Sequence, residues 1–298
     1  MASAYETAAA NRRRLENSYH RALARITRDI RTICQQATTP SMLTAAIEAY
    51  SRSDAFQRYA EQVARRMITG QLVGQRATWR AAATESMRGR DIYRALREET
   101  RRGTMIGQAI SDIIASNATL IQTCPLYISR RMSAYAYQQA MKGVRHEQMM
   151  EEMQRMAPHL TEVQVRRIAR TESSKAQTAL LEARCEALGL GWYEWRSAQD
   201  ERVRSAHSDM DGVICRWNDP PNPELLFPHK GEHNSGAGYH PGNIYNCRCI
   251  ALPVIDAHDL HFPCRVHDHN KIITVGSLPE FEKLFGSVAA YHHGGDRP

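Results

Sequence analysis

The chain has 298 residues, of which 42% are hydrophobic and 24% charged, and these values are typical of a globular protein with two domains of ordinary size. No apolar run reaches the roughly 18 residues that a membrane-spanning helix needs, and residues 1–5 lack the pattern of a secretion signal, so we expect synthesis in the cytoplasm without export by that route. The formal net charge of +7 is uneven, because residues 1–190 carry 29 Lys and Arg against 18 Asp and Glu, while residues 191–298 carry 10 against 14.

Residues 1–190 are predicted to be almost wholly helical. The first helix is marked by an apolar stripe at spacings of three and four residues, formed by Tyr19, Leu23, Ile26, Ile30 and Ile33. A break follows, and Pro40 suits the first turn of a second helix. A third helix is predicted to end at Gly70, and Pro125 and Pro158 predict further helix ends.

The pattern changes after the last long helix, which a capping box of Thr161 and Gln164 is expected to start and Gly189 to end. Short alternating segments follow it, and they are typical of a small sheet. We predict a strand over 192–197, a short helix capped near Asp200, a turn at Asp211 and Gly212, a strand over 213–215, a long loop over 218–246, strands over 247–255 and 272–275, and a helix over 278–285. The predicted class is α+β: an extended, mainly helical N-terminal region followed by a small mixed α/β C-terminal domain.

Arginine supplies 34 of the 39 positive charges, since the chain has only five lysines. The guanidinium group binds phosphates through a planar fork, so one interpretation is an Arg-rich N-terminal half that faces nucleic acid. The other interpretation is a set of solvated helix faces with i,i+4 ion pairs, because the basic residues alternate with acidic ones. Both interpretations stay open at this point.

The last third of the chain holds four of the seven cysteines: Cys215, Cys247, Cys249 and Cys264. Such crowding in a protein made in the cytoplasm favours metal binding over disulfides. The three remaining cysteines lie singly in helical stretches and are predicted to be small buried apolar residues: Cys34, Cys124 and Cys185.

A metal site is the most specific hypothesis for this region. Cys247 and Cys249 are two residues apart in a predicted strand, so their sulfur atoms should project to the same side. A closed zinc site needs two further ligands, and His207, Cys215 and His240 are the nearest candidates. The alternative is that Cys247 and Cys249 are ordinary core thiols.

A second group of potential ligands consists of His258, His261, Cys264, His267 and His269. Its spacing suits metal binding, but an exposed polar hairpin is the preferred interpretation. Asp200, Arg204 and His207 would share one face of the predicted short helix, and with Asp209, Asp211 and a metal they could form a nuclease centre. Helix capping and ion pairing by Asp200 is the preferred interpretation, because two thiolates close a metal site to substrate.

No other enzyme class gains support, since the chain has no phosphate-binding P-loop, dinucleotide-type glycine motif or nucleophile elbow.

Several short motifs taken together resemble the phage Mu F-like minor head protein family. In chain order they comprise Ile168-Ala169-Arg170-Thr171-Glu172, Trp195, Asp200-Glu201-Arg202-Val203-Arg204, His207, Asp211-Gly212, a loop with Pro241, and Asn246-Cys247-Arg248-Cys249. The resemblance covers about residues 165–253, and the motifs are specific in combination. Some members have cysteines where Arg204 and His207 stand, which implies a metal site shared by His207, Cys247 and Cys249 and leaves the fourth ligand open.

The resemblance implies a phage minor capsid protein of the virion, placed in the capsid interior near the portal or shell. The expected partners are portal and major capsid or scaffold proteins and packaged double-stranded DNA, without a membrane, and the expected cofactor is one structural zinc ion.

The predicted domains are a helical docking region over 1–160, a Mu F-like domain over 161–255 and a His/Cys-rich extension over 256–298. The expected role is structural, in head assembly and DNA packaging or delivery; the alternatives are a metal-dependent DNA phosphodiesterase and a plain Arg-rich DNA-binding protein.

Overall fold

A computed structural model of the chain describes residues 4–86, 88–99, 103–232 and 236–288. The N-terminal part consists of helices α1 (Ala4–Gln36), α2 (Pro40–Arg52), α3 (Asp54–Glu85), α4 (Gly89–Glu98), α5 (Met105–Met141) and α6 (His146–Leu188). The C-terminal part contains β1 (Trp192–Arg196), α7 (Ser205–Asp209), β2 (Val213–Arg216), α8 (Pro223–Leu226), β3 (Ile250–Pro253), a 3₁₀ turn (Ala257–Asp259), β4 (Cys264–Asp268), β5 (Lys271–Val275) and α9 (Leu278–Phe285). This order confirms the predicted α+β class. In the described ranges, no helix combines the length and the apolar character needed to cross a bilayer.

The first two helices follow the sequence signals closely. Leu23, Ile26 and Ile30 of the predicted stripe are fully buried, because their spacing places them on one face of α1. The hydroxyl of Thr39 accepts the backbone N–H of Met42 at 3.2 Å, and Pro40 occupies the first turn of α2.

The predicted helix ends at Gly70, Pro125 and Pro158 are wrong. α3 continues through Gly70, where a Cβ atom would lie 2.5 Å from the side chain of Leu15, so this glycine permits close helix packing. α5 and α6 continue through their prolines, although each loses a backbone hydrogen bond there.

The predicted capping box at Thr161 is also wrong. The hydroxyl of Thr161 donates to the carbonyl of Ala157 at 2.7 Å, within α6. In these long helices the stability gained from tertiary packing is larger than the local preference of these residues for ending a helix.

The helices and strands form two compact units that do not follow chain order. The helical unit comprises residues 14–70 and 111–173, and the sheet unit comprises residues 1–13, 71–110 and 174–298. The predicted domain boundaries at residues 160 and 255 stay a prediction.

The sheet has the strand order β3-β1-β2-β4-β5. β1 pairs antiparallel with β2 and β3, β2 pairs parallel with β4, and β4 pairs antiparallel with β5. Because side chains alternate along a strand, Trp192 and Ile214 share one core with α9, while Tyr193, Trp195 and Cys215 share the other core with α4 and α6. The candidate site lies on the face of Tyr193 and Trp195.

Three local predictions for the C-terminal part need correction. β3 begins at Ile250, so Cys247 and Cys249 precede the strand, and α7 begins at Ser205 and not near Asp200. The strand over 264–268 was not predicted from the sequence. It contains the polar residues Arg265 and His267, and the burial of His267 is not what a polar residue type leads one to expect. Residues 269 and 270 both have positive φ and form the two-residue turn between β4 and β5.

Candidate metal centre

Three side chains from distant parts of the chain converge beside the sheet: His207 of α7, and Cys247 and Cys249 from the segment before β3. All three are buried, with 2%, 3% and 4% of their surfaces exposed. The two sulfur atoms lie 3.5 and 3.4 Å from Nδ1 of His207, and the three potential ligand atoms lie within 4.8 Å of one another. Trp195 closes one side with its ring edge-on to the imidazole, at a centroid distance of 5.5 Å.

These separations agree with tetrahedral zinc geometry. With Zn–S about 2.3 Å and Zn–N about 2.0–2.1 Å, a tetrahedral angle places sulfur and nitrogen roughly 3.5–3.6 Å apart. Both observed sulfur–nitrogen distances are within about 0.2 Å of that value. The chemistry of the donor set therefore fits zinc.

The orientation of the His207 ring is fixed from its other side. Nε2 lies 2.8 Å from the hydroxyl of Tyr239, and that hydroxyl donates to Oε1 of Glu224 at 2.7 Å. Burial, followed by the bond to Glu224, raises the pKa of Tyr239, so the phenol keeps its proton for the carboxylate and must accept from Nε2. The proton of His207 is thereby placed on Nε2, and the Nδ1 lone pair faces both sulfur atoms, as in metal centres with a hydrogen-bonded histidine.

The sulfur atoms also sit in an environment that stabilises a thiolate. The Gly242 backbone N–H donates to Cys247 Sγ at 3.3 Å. A hydrogen bond from Cys249 holds the pKa of Cys247 well below the ordinary thiol value. The same interaction with Cys247, together with burial, raises the pKa of Cys249 well above it. One negative charge is therefore shared by the pair, and a divalent cation would stabilise the second.

The loop over 236–246 is held against α6 close to this centre. Gly242 has a φ of +87°, and a Cβ atom there would lie 2.9 Å from the hydroxyl oxygen of Thr178. That hydroxyl donates to the carbonyl of Pro241 at 2.5 Å. Glycine is required for this approach, which brings the Gly242 N–H to Cys247.

The other two candidate ligands lie elsewhere. Nδ1 of His240 pairs with the hydroxyl of Tyr193 at 3.0 Å, and burial lowers the pKa of His240 to about 4. Cys215 is fully buried in β2, where burial raises the pKa of its thiol. Among the residues that the structure describes, no fourth His, Cys, Asp or Glu joins the group around His207.

The remaining motif residues of this region have structural contacts. Arg248, between the two cysteines, forms a two-pronged ion pair with Asp200, and this pairing lowers the pKa of the Asp200 carboxyl group. Asp200 also accepts the backbone N–H of Arg202 in a tight turn. Gly212 has a φ of +78° and donates its N–H to the carbonyl of Trp195 at 2.8 Å, which starts β2.

The motif residues Arg170 and Glu172 lie on α6 in the helical unit. Arg170 forms an ion pair with Glu16 of α1 at 3.2 Å, and Glu172 is buried. Both residues are thus part of the packing between α1 and α6 within the helical unit.

The contacts of the acidic residues do not favour the nuclease hypothesis. Asp200 lies outside α7 and is paired with Arg248, so the three predicted residues do not share a helix face. Asp211 accepts the backbone N–H of Ser197 at 2.7 Å and lies 3.8 Å from Arg196. Each carboxylate is therefore engaged in holding the backbone of the sheet unit.

Sequence reasoning missed Glu224 and Tyr239. They lie 15 residues apart in the long loop. Glu224 follows His207 by 17 residues in the sequence and Tyr239 follows it by 32, yet both side chains lie beside the His207 ring. The pair Asn222-Pro223 could have predicted α8, since Asn222 caps it and Pro223 occupies its first turn. No short-range signal could have placed either side chain on the histidine.

Comparisons with known proteins agree with the motifs. Residues 130–252 match the family described as Phage Mu protein F like protein. A protein of Haemophilus influenzae, described as uncharacterized, is 27% identical over 223 residues, which cover 74% of this chain and 45% of that protein. No solved structure matches the chain.

Proposed function

The chain carries a domain of the phage Mu F-like family over residues 130–252, and from this premise we propose that it is a structural protein of phage head morphogenesis. We propose a place inside the virion, in contact with portal and major capsid or scaffold proteins. The observation that carries a structural role is the burial of His207, Cys247 and Cys249, since a centre without exposed ligand atoms cannot admit a substrate.

The head assignment is tested by locating the chain in particles. Lysates of the phage that encodes it would be fractionated into DNA-filled heads, empty heads and tails, and the chain quantified by mass spectrometry. We expect it in heads at a few copies for each portal and not in tails. A chain that stays entirely in the particle-free fraction would overturn the proposal.

We further propose that His207, Cys247 and Cys249 hold one structural zinc ion, with the remaining position filled by a buried water molecule. The support is the donor set, its tetrahedral spacing and the hydrogen bond that orients His207. Bound zinc would add rigidity between α7 and the segment before β3, while Tyr239 and Glu224 orient the imidazole.

Elemental analysis of the purified chain tests this centre. We expect about one zinc per chain and, after exchange to cobalt, a thiolate-to-metal charge-transfer band. Thiol titration should find Cys247 and Cys249 protected until a chelator is added. Metal-free protein with both thiols freely reactive would contradict the assignment.

A second proposed role is contact with the phosphates of packaged DNA, and a specific surface favours it. Arg21, Arg25 and Arg28 are exposed along one face of α1, and Arg66 of α3 is exposed near them, since Arg25, Arg28 and Arg66 all act on the pKa of Tyr59. Arg25 lies over the Tyr59 ring at 4.7 Å. Three guanidinium groups near one ring, with exposed Arg21 on the same face of α1, form a basic surface of the kind that binds a phosphate backbone.

Salt dependence of binding to duplex DNA tests this role. Replacing Arg21, Arg28 and Arg66 by glutamine should weaken binding and reduce the steepness of its dependence on salt. Arg166→Gln is the matched control, because Arg166 is already paired with Glu162. Equal loss in the control, or binding that does not change with salt, would remove this surface from consideration.

A further inference from the structure

A line of exposed side chains runs along α5 within the helical unit. Its members follow alternating spacings of three and four residues, and all of them are exposed: Tyr127, Arg130, Ala134, Tyr137 and Met141. Tyr137 and Met141 are 69% and 74% exposed. Single exposed apolar residues are ordinary on a protein surface, but a regular line of them marks a place where something binds. We name this line the α5 seam.

The α5 seam has the spacing of a coiled coil. Tyr127, Ala134 and Met141 repeat every seven residues and Arg130 and Tyr137 lie between them, so the five occupy the a and d positions of a heptad pattern. The line is about 21 Å long, or roughly four helical turns. A line this narrow fits one further helix, whereas a helix that lies on a membrane needs a broader apolar face.

The opposite face of α5 already packs against its own chain. Ile128 and Met132 are fully buried, and the hydroxyl of Ser129 donates to the carbonyl of Thr44 on α2 at 3.3 Å. The α5 seam is therefore a second apolar line on a helix whose core contacts lie elsewhere on its surface.

The charge of this part of the chain indicates the chemistry of the partner. Residues 113–146 contain four basic residues and no Asp or Glu: Arg130, Arg131, Lys142 and Arg145. Arg130 lies in the seam, and Arg131 occupies the neighbouring e position, which pairs with charges of the partner in a coiled coil. In the part of the chain that the structure describes, neither guanidinium forms an ion pair. A second copy of α5 would offer only like charges, whereas an acidic helix would offer carboxylates.

The neighbouring helix α6 leaves room beside the seam. Tyr127 and Arg130 line a groove of about 250 Å³ together with Gln164 of α6. The nearby carboxylate of Glu162 is already paired with Arg166 at 2.8 Å. A side chain of a docked helix can enter this groove, with Arg130 at its edge to receive a carboxylate.

We propose that the α5 seam binds an acidic amphipathic helix of another protein. The partner's apolar side chains would cover Tyr127, Tyr137 and Met141, and its Asp or Glu residues would lie beside Arg130 and Arg131. Duplex DNA would engage the arginines but would leave the apolar line exposed. The inference rests on the proposed structural role in the head, since it names the surface and the partner chemistry for contact with another head protein.

Photo-crosslinking from within the seam tests the proposal. Benzoylphenylalanine in place of Tyr137 would be introduced into the full chain during phage growth, and crosslinked peptides would be identified by mass spectrometry in heads and in the particle-free fraction. We expect a crosslink to a segment of another protein in which apolar residues recur at spacings of three and four and are flanked by Asp or Glu. The same group in place of Met42, an exposed side chain of α2, should not crosslink to that segment.

Reversing the charge of the seam measures the contribution of its arginines. Arg130→Glu combined with Arg131→Glu should lower the yield of this crosslink by at least about tenfold, because like charges then meet across the contact. Arg58→Glu combined with Arg65→Glu is the matched control, since it makes the same change of charge at exposed positions of α3 and should leave the yield unaltered. Circular dichroism would show that both variants keep their helices.

The proposal is overturned if residue 137 crosslinks to nothing in either fraction, or if it crosslinks to DNA, to lipid, to a second copy of the chain or to a segment without acidic residues. An equal loss of yield in the α3 control would also overturn it. Heads that contain the chain without this crosslink would contradict the seam and leave the head assignment standing. The crosslink found only outside particles would support the seam and contradict the head assignment.

Discussion

The two compact units differ in what holds their interiors together. The helical unit is built around apolar faces such as that of α1, and the hydroxyl of buried Ser51 donates to the carbonyl of Gln122 at 2.9 Å. The sheet unit buries ionisable groups, including Glu99, Arg184 and His207. Apolar burial is spread over many residues, whereas buried charges depend on particular partners. Single substitutions should therefore act more strongly in the sheet unit.

Replacing Cys247 and Cys249 together by serine should have the largest effect if the proposed zinc ion is bound, because zinc contributes about 10–16 kcal/mol to folding in small zinc domains. We expect the sheet unit to unfold while the helical unit persists. Tryptophan fluorescence separates the two, since all four tryptophans lie in the sheet unit: Trp79, Trp192, Trp195 and Trp217. Circular dichroism would report the helices that remain.

The control for this pair is Cys264→Ala, which removes a buried thiol of the same unit from outside the centre. An unchanged fluorescence melting curve in the double variant would show that the sulfur atoms do not sustain the sheet unit.

Glu99→Gln should have the next largest effect. Glu99 is buried and accepts from Arg76 at 2.6 Å and from Arg184 at 2.9 Å, and Arg184 is itself buried. Removing one partner of such a group leaves a buried charge uncompensated and costs about 3–5 kcal/mol. Urea unfolding followed by tryptophan fluorescence measures this cost. Exposed Glu98→Gln should change stability by less than about 0.5 kcal/mol, and equal effects would contradict the network's role.

The buried His240 should make the sheet unit sensitive to acid. Burial lowers its pKa from 6.5 to about 4, so the unfolded chain binds the proton more tightly than the folded one. The stabilising contribution is complete above pH 6.5 and is lost as the pH falls towards 4, by about 3 kcal/mol in total. His240→Asn should flatten the loss of stability over this interval, whereas exposed His258→Asn should not; parallel curves for all three proteins would contradict this assignment.

Tyr239→Phe should weaken zinc binding at the proposed centre without unfolding the chain. The variant keeps the ring beside Trp195 but removes the hydroxyl that fixes His207. Loss of such an outer hydrogen bond lowers metal affinity by about 10–100-fold. Competition with a coloured chelator measures the change. Tyr245→Phe is the matched control on an exposed ring, and unaltered affinity in Tyr239→Phe would show that the orienting bond is dispensable.

Thr39→Ala should have the smallest effect of these changes and acts in the helical unit. It removes the N-cap of α2 and should cost about 1 kcal/mol. The loss should appear in the circular dichroism melting curve and leave the fluorescence curve unaltered, because no tryptophan lies in that unit. A shift of the fluorescence curve alone would contradict the assignment of α2 to an independent core.

The same contrast explains what could be predicted from the sequence. Apolar periodicity predicted the buried face of α1, and the bounds of α9 were also predicted from the local sequence. The use of glycine and proline as signals for helix ends failed at Gly70 and Pro158, where packing with other helices outweighs local preference. The pair Cys247 and Cys249 could be singled out by spacing and family resemblance, but Glu224 could not, because its contact with His207 depends on the folding of a long loop.

The parallel pairing of β2 with β4 has a consequence for the order in which the protein is built. β2 lies inside the sheet, yet one of its edges is covered only by β4, about 50 residues further along the chain. Until residues 264–268 have left the ribosome, that edge carries unpaired backbone groups that another chain could bind. Synthesis therefore passes through a stage in which Cys247 and Cys249 have emerged while the edge of β2 is still unpaired. A chaperone or an assembly partner that acts at that stage would contact a different surface from that of the finished protein.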